Sequence, residues 1–172
     1  NHTWATLDGN TAIATIAADL AAAKGIFVCN SAGNEGASAW KYISVPADAD
    51  SVCTVGAVDV AGVRAGFSSQ GPTADGRIKP DVDACGNGTW VVNPFAGGVQ
   101  QSGGTSFSSP LTAGMVACLW QANPSKNNME ILAAMKSSGS QAMNPDTLLG
   151  WGVPNYCNAN LTLNGIKNTA VQ

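Results

Sequence analysis

Gly103-Gly104-Thr105-Ser106-Phe107-Ser108-Ser109-Pro110 runs straight into residues 111–120, a segment apolar on nearly every side: Leu111, Ala113, Met115, Val116, Ala117, Leu119 and Trp120. A helix that is apolar all round belongs inside a domain. The stretch therefore predicts a buried central helix over residues 105–123. Pro110 is expected in its first turn, where a missing N–H has no partner to lose. Ser106 then stands where a loop enters the positive end of the helix, and backbone N–H groups there can face a developing negative charge. A serine so placed is a candidate nucleophile.

Working outward, residues 11–24 are Ala-rich, with Ile13, Ile16, Ala17 and Leu20 at helical spacing, and Gly25 ends the helix. Residues 26–29 read as a short apolar strand, so the pair forms one helix-then-strand unit of a parallel α/β fold. Asn34 follows the C-terminal end of that strand, where open parallel sheets place their sites. Gly33-Asn34-Glu35-Gly36 also has the composition of a turn, and a turn can aim an amide. Residues 52–58 read as a second buried strand, and 67–86 as an ordered surface loop rich in Gly, Pro, Ser and Asp. Asp48, Asp50, Asp81 and Asp83 read as solvated loop carboxylates, because neither pair continues into a regular calcium loop. Residues 89–92 and 98–102 look like paired extended segments leading to the Ser106 loop. Pro124-Ser125 is expected to open a helix through Met129, Ile131, Leu132 and Met135, and a short final helix follows residues 150–156.

Hydrophobic residues make up 45% of the 172 and charged ones only 11%, the balance of a heavily buried globular piece. Eight basic residues against 11 acidic ones leave a net charge of −3, with no basic cluster, which argues against a nucleic-acid partner. No apolar run approaches membrane-spanning length. Five cysteines, at 29, 53, 85, 118 and 157, lie far apart without a CxxC pair. Cys29, Cys53 and Cys118 fall in or beside apolar segments, where cysteine acts as a small hydrophobe. With Asn1 first, and neither an initiator Met nor a leader ahead of it, the chain reads as a processed or excised product. No repeat or linker divides it, so residues 1–172 read as belonging to one domain.

Gly104-Thr105-Ser106-Phe107-Ser108-Ser109-Pro110 resembles the nucleophile motif of the subtilisin-like serine peptidases. Ser31-Ala32-Gly33-Asn34-Glu35-Gly36, after its apolar strand, resembles the oxyanion-hole motif of the same family. A third block is also in family order: Val55-Gly56-Ala57-Val58-Asp59, then Phe67-Ser68-Ser69-Gln70-Gly71-Pro72, then Lys79-Pro80-Asp81-Val82. Gly150-Trp151-Gly152 matches the family's closing segment. Asp83 and Cys85 depart from the family's usual Lys-Pro-Asp-aliphatic-x-Ala-Pro-Gly run, and Gln70 stands where a basic residue is frequent.

The resemblance implies a three-layer α/β/α fold with a mostly parallel sheet, incomplete in this chain, which would be the C-terminal half of one peptidase domain. It implies a serine endopeptidase acting on peptide or protein substrates, with Ser106 as nucleophile, Asn34 as side-chain oxyanion donor, and Ser31, Ala32 and Gly33 along one pocket wall. It also implies secretion. No cofactor is required and no metal ligand is assigned, although a structural calcium is compatible. The base and its orienting carboxylate belong to Asp and His motifs absent from this sequence. His2, in Asn1-His2-Thr3-Trp4, does not match the His motif. An N-terminal half, cleaved or separate, is therefore the expected partner, and this chain alone is expected to be inactive. The alternative is a non-catalytic peptide-binding or assembly module, though intact Gly-Thr-Ser and Gly-Asn-Glu-Gly motifs argue against decay. An esterase elbow, Gly-x-Ser-x-Gly, occurs nowhere in the chain.

Overall fold

The computed structural model describes residues 2–166; the start of the chain at Asn1 lies outside them. Three parallel strands, β1 (Cys29–Ser31), β2 (Cys53–Val58) and β3 (Val82–Cys85), form one sheet in that order. β4 (Asn87–Val92) and β5 (Val99–Gly103) form the expected antiparallel ribbon leading into the Ser106 loop. The helices are α1 (Ile13–Ala23), α2 (Thr105–Ala122), α3 (Asn128–Ser137) and α4 (Tyr156–Leu163), with one 3₁₀ turn at Trp4–Thr6. The α/β class with a parallel sheet is as read from the sequence.

β2 is buried along its whole length and alternates between two packed faces. Cys53 and Val55 join Val82, Val116 and Leu119 of α2, Ile131, Leu132 and Met135 of α3, and Ala159 of α4. Thr54 points the other way and donates from Oγ1 to the Ala47 carbonyl at 2.6 Å. On that side Leu7, Ala32, Ile43 and Ala47 make a second cluster. α1 is tied to the segment entering β2: Thr15 Oγ1 donates to Asp48 Oδ1 at 2.6 Å, and the Asp19 carboxylate accepts from Asp50 N and Ser51 N.

Several boundaries differ from the sequence reading, each for a local reason. The first strand begins at Cys29 rather than Ile26, because α1 ends in a Schellman cap. Gly25 takes φ +87, Gly25 N donates to Ala22 O, and Ile26 N donates to Ala21 O. Ile26 is left 57% exposed. α3 begins at Asn128, not Pro124, because Asn127 and Glu130 form a reciprocal capping box. Residues 67–86 are not a surface loop: they contain β3, and Ser68, Ser69, Thr73, Lys79, Asp81 and Asp83 are buried. The outer edge of β3 is closed by the 150–152 turn, where Trp151 N donates to Asp81 O and Asp83 N to Gly152 O.

The largest departure concerns α2. Only Thr105, Ser108, Thr112, Val116 and Leu119 are buried, while Leu111 and Met115 stay 46% and 45% exposed. The helix is apolar all round, yet these residues cover one side of it. Pro110 is its sixth residue, past the first turn, so the Ser106 carbonyl loses its i+4 donor. Along α1 the apolar positions Ile13, Ile16 and Leu20 likewise face outward. Among the described residues, no strand pairs with the outer edge of β1, and no helix is long and apolar enough to cross a membrane.

Candidate active site

Two loops meet at the N-terminus of α2. One leaves the C-terminal end of β1 as Ala32-Gly33-Asn34-Glu35, and the other is Gly103-Gly104 at the end of β5. Gly33 is at φ +112, and a Cβ there would lie 2.9 Å from Ser69 Oγ. A side chain at that position would be both strained and crowded. Ser69 clamps the loop from beneath: its N–H donates to Gly33 O at 2.9 Å, and its Oγ accepts from Glu35 N at 3.0 Å.

Between those anchors, Asn34 turns its amide toward the helix. Oδ1 accepts from Thr105 N at 2.9 Å and from Thr105 Oγ1 at 3.0 Å, while Thr105 Oγ1 accepts from Gly33 N at 3.2 Å. One of the helix's orphan N–H groups is thereby satisfied. With the amide oxygen held, Nδ2 is the free donor; a Cβ built on Gly104 would lie 3.7 Å from it. Ser106, next along, is exposed, and its N–H belongs to the same unpaired first turn. Among the described residues neither Asn34 Nδ2 nor Ser106 N–H has an acceptor. No acidic residue occupies the first turn of α2, so the positive end of its dipole is not offset there.

The structure thus brings Ser106 and Asn34, 72 positions apart in the sequence, to one helix end. Thr105 and Ser69 hold the geometry and went unremarked in the sequence, although both lie inside motifs quoted from it. Ser31 and Gly33 are half-buried, whereas Ala32 is fully buried among Leu7, Ile43 and Ala47 and offers no side chain to a ligand. His2 lies against Thr6 Oγ1 at 3.4 Å, and no contact links it to Ser106. Among the described residues, no base reaches the Ser106 hydroxyl. Cavities of about 500 and 570 Å³ are lined mainly by α3 and the turn after it, not by Ser106 or Asn34.

The acidic residues correct the solvated-loop reading. Asp48, Asp81 and Asp83 are 0%, 2% and 0% exposed. Asp48 accepts from Thr15 Oγ1 and Gly9 N, and only Asp50, paired with Arg77, lies outside the core. Asp81 binds Lys79 at 2.6 Å and Lys136 at 2.8 Å. Burial alone would raise its pKa, but the two ammonium groups outweigh it and hold the carboxyl below its ordinary value. Asp83 has no hydrogen-bond partner on either oxygen, and burial pushes it up to about 8 despite the Arg64 charge. Among the described residues, no three His, Cys, Asp or Glu side chains converge as a metal site.

This arrangement has known relatives. The subtilase family model matches residues 1–152. Subtilisin from Bacillus pumilus is 32% identical over 134 residues, covering 77% of this chain and 46% of that protein. Serine protease AprX from Bacillus subtilis (strain 168) is 31% identical over 156 residues, covering 78% of this chain and 35% of the relative. The self-cleaved protease domain of PatA superposes with a TM-score of 0.72 at 25% identity, over 89% of this chain and 56% of that one. The chain thus spans less than half the length of these two curated relatives. With a family match over residues 1–152 of 172 and a shared fold, the chain belongs to the subtilase family.

Proposed function

We propose that residues 1–172 are the C-terminal half of one subtilisin-like catalytic domain, and that the complete domain is a secreted serine endopeptidase. The observation that carries this reading is the double donation from Thr105 to Asn34 Oδ1, which leaves Asn34 Nδ2 as an unpaired donor near Gly104, at the helix end that holds Ser106. In the complete domain, a histidine of the N-terminal half, oriented by its own aspartate, takes the Ser106 hydroxyl proton. Ser106 Oγ attacks the scissile carbonyl. The oxyanion is then held by Asn34 Nδ2 and the Ser106 N–H, reinforced by the positive end of α2. Collapse expels the amine, which takes the Ser106 proton from the same histidine, and water hydrolyses the acyl-enzyme. The chemistry uses no cofactor; a structural calcium remains compatible with the reading but takes no part in these steps. Ser31 and Gly33 border the pocket for the substrate side chain, and the partner required is the N-terminal half.

Support comes from the share of the relatives that the chain covers, from the unpaired edge of β1, and from the outward apolar face of α2. The test is labelling with a fluorophosphonate. The complete protein should label and its Ser106→Ala variant should not; the isolated chain should stay unlabelled until the N-terminal half is added. Equal labelling of the Ser106→Ala variant, or none in folded complete protein, would overturn the reading.

A further inference from the structure

Cys29 and Cys53 stand directly opposite one another in the β1–β2 ladder. Neighbouring strands lie about 4.7–4.9 Å apart, within the roughly 4.4–6.8 Å Cα separation that a disulfide spans. Register partners on adjacent strands project to the same face. Here both face the cluster closed by α3, with Cys53 at 1% exposure in its core and Cys29 half-buried against it. The thiols feel each other: Cys53 holds the Cys29 thiol below its ordinary range, while Cys29 and burial push Cys53 well above it. That asymmetry marks the half-exposed Cys29 as the attacking sulfur and the buried Cys53 as the resolving one. Cys85 lies against Asn87 and Thr89, while Cys118 and Cys157 are exposed along one groove between α2 and α4.

We propose that Cys29 and Cys53 form a reversible cross-strand disulfide, a redox modification site that ties β1 to β2 just upstream of the Asn34 loop. The oxidant is a low-molecular-weight disulfide, RSSR. Cys29 thiolate attacks one sulfur, giving Cys29–S–S–R and RS⁻. Cys53, deprotonated, then attacks Cys29 Sγ and expels the second RS⁻. The two cysteine protons end on the two leaving thiolates, so Cys29–SH, Cys53–SH and RSSR give the bridge and two RSH. The cysteines lose two electrons and RSSR gains them. The bridge matters because β1 has only three residues, pairs among the described residues only with β2, and carries the loop that holds Asn34.

The test uses the full-length protein, incubated with oxidised glutathione, blocked with iodoacetamide in denaturant and digested with trypsin without reduction. Cleavage after Lys24, Lys41 and Arg64 gives peptides 25–41 and 42–64, which carry Cys29 and Cys53 respectively. The expected result is one linked species containing both, which a reductant separates, with loss of both alkylated peptides. Full alkylation of both, glutathione adducts without the link, or oxidation confined to the peptides of Cys118 and Cys157 would each overturn the proposal. In Cys53→Ser, Cys29 should stop at the glutathione adduct. Should that variant not fold, Cys29→Ser, at the half-buried position, should leave Cys53 alkylated and unlinked. The readout is a mass and not an activity, so it stands or falls apart from the peptidase reading.

Discussion

Asp83 takes both carboxylate oxygens into the interior without a hydrogen-bond partner, and its pKa is pushed up to about 8. Below about pH 4, its ordinary value, folded and unfolded chains both hold the proton. Between there and about 8 only the folded form holds it, so stability falls as pH rises through this window, by up to ~1.4 kcal/mol per pH unit. The melting temperature of the full-length protein should therefore drop from pH 5 to pH 8, and Asp83→Asn should flatten that drop. Parallel curves for the two proteins would refute the assignment. Asn34 acts in the opposite register, exposed and aimed. If the complete domain is the proposed peptidase, Asn34→Ala should lower its kcat by about 10²–10³, the range known for an oxyanion amide in subtilisin, with KM little changed. A change in KM alone, measured by steady-state kinetics, would place Asn34 in ground-state binding. Asn34 was singled out through the resemblance of its Ser31–Gly36 stretch to an oxyanion-hole motif, since a Gly-Asn-Glu-Gly turn by itself does not say where the amide points; the structure sets that amide against the N-terminus of α2. Asp83 was not, because an acidic residue among Gly and Pro reads as solvated until β3 is seen to carry it inside.

At the scale of elements, α2 shows what an apolar pattern can and cannot state. Its composition announces a buried helix, but nothing in residues 105–123 says which chain supplies each wall. Val116 and Leu119 are covered by this chain; Leu111 and Met115 are not. Met115→Lys separates the two situations. In the isolated chain, at a position 45% exposed, it should change stability by no more than ~0.5 kcal/mol. In the complete domain it should cost roughly 3–5 kcal/mol, the consequence of an unpaired buried charge. Urea titrations of both forms decide it, and an unaffected complete domain would mean that this face of α2 stays open. The strand boundaries follow the same logic. Residues 26–29 carry strand-like side chains, but the Schellman cap at Gly25 spends the first of them leaving α1, so pairing begins only at Cys29.

For the whole molecule, several of the exposed apolar residues fall in groups. Ile13, Ile16 and Leu20 share α1, Leu111 and Met115 share α2, and Trp90, Val92 and Val99 share the ribbon, while β1 has an unpaired edge. Faces of this kind lead to association when left bare. The isolated chain should sediment as concentration-dependent oligomers and bind an apolar dye. Adding the N-terminal half should yield a one-to-one complex with a single cooperative melt. A monomeric, cooperatively melting isolated chain would show that residues 1–172 fold without a complement. The hydrogen bonds from Thr105 to Asn34 join positions 71 residues apart, and that separation is also an interval of time. At about 5–20 residues per second, a ribosome releases Asn34 roughly 4–14 s before Thr105. During that interval Asn34 Oδ1 has no Thr105 to accept from, and Ser106 has not yet been made. A nascent chain that stalls short of α2 therefore carries Asn34 without the serine that the proposed mechanism needs, and the two can meet only after synthesis has passed Ser106.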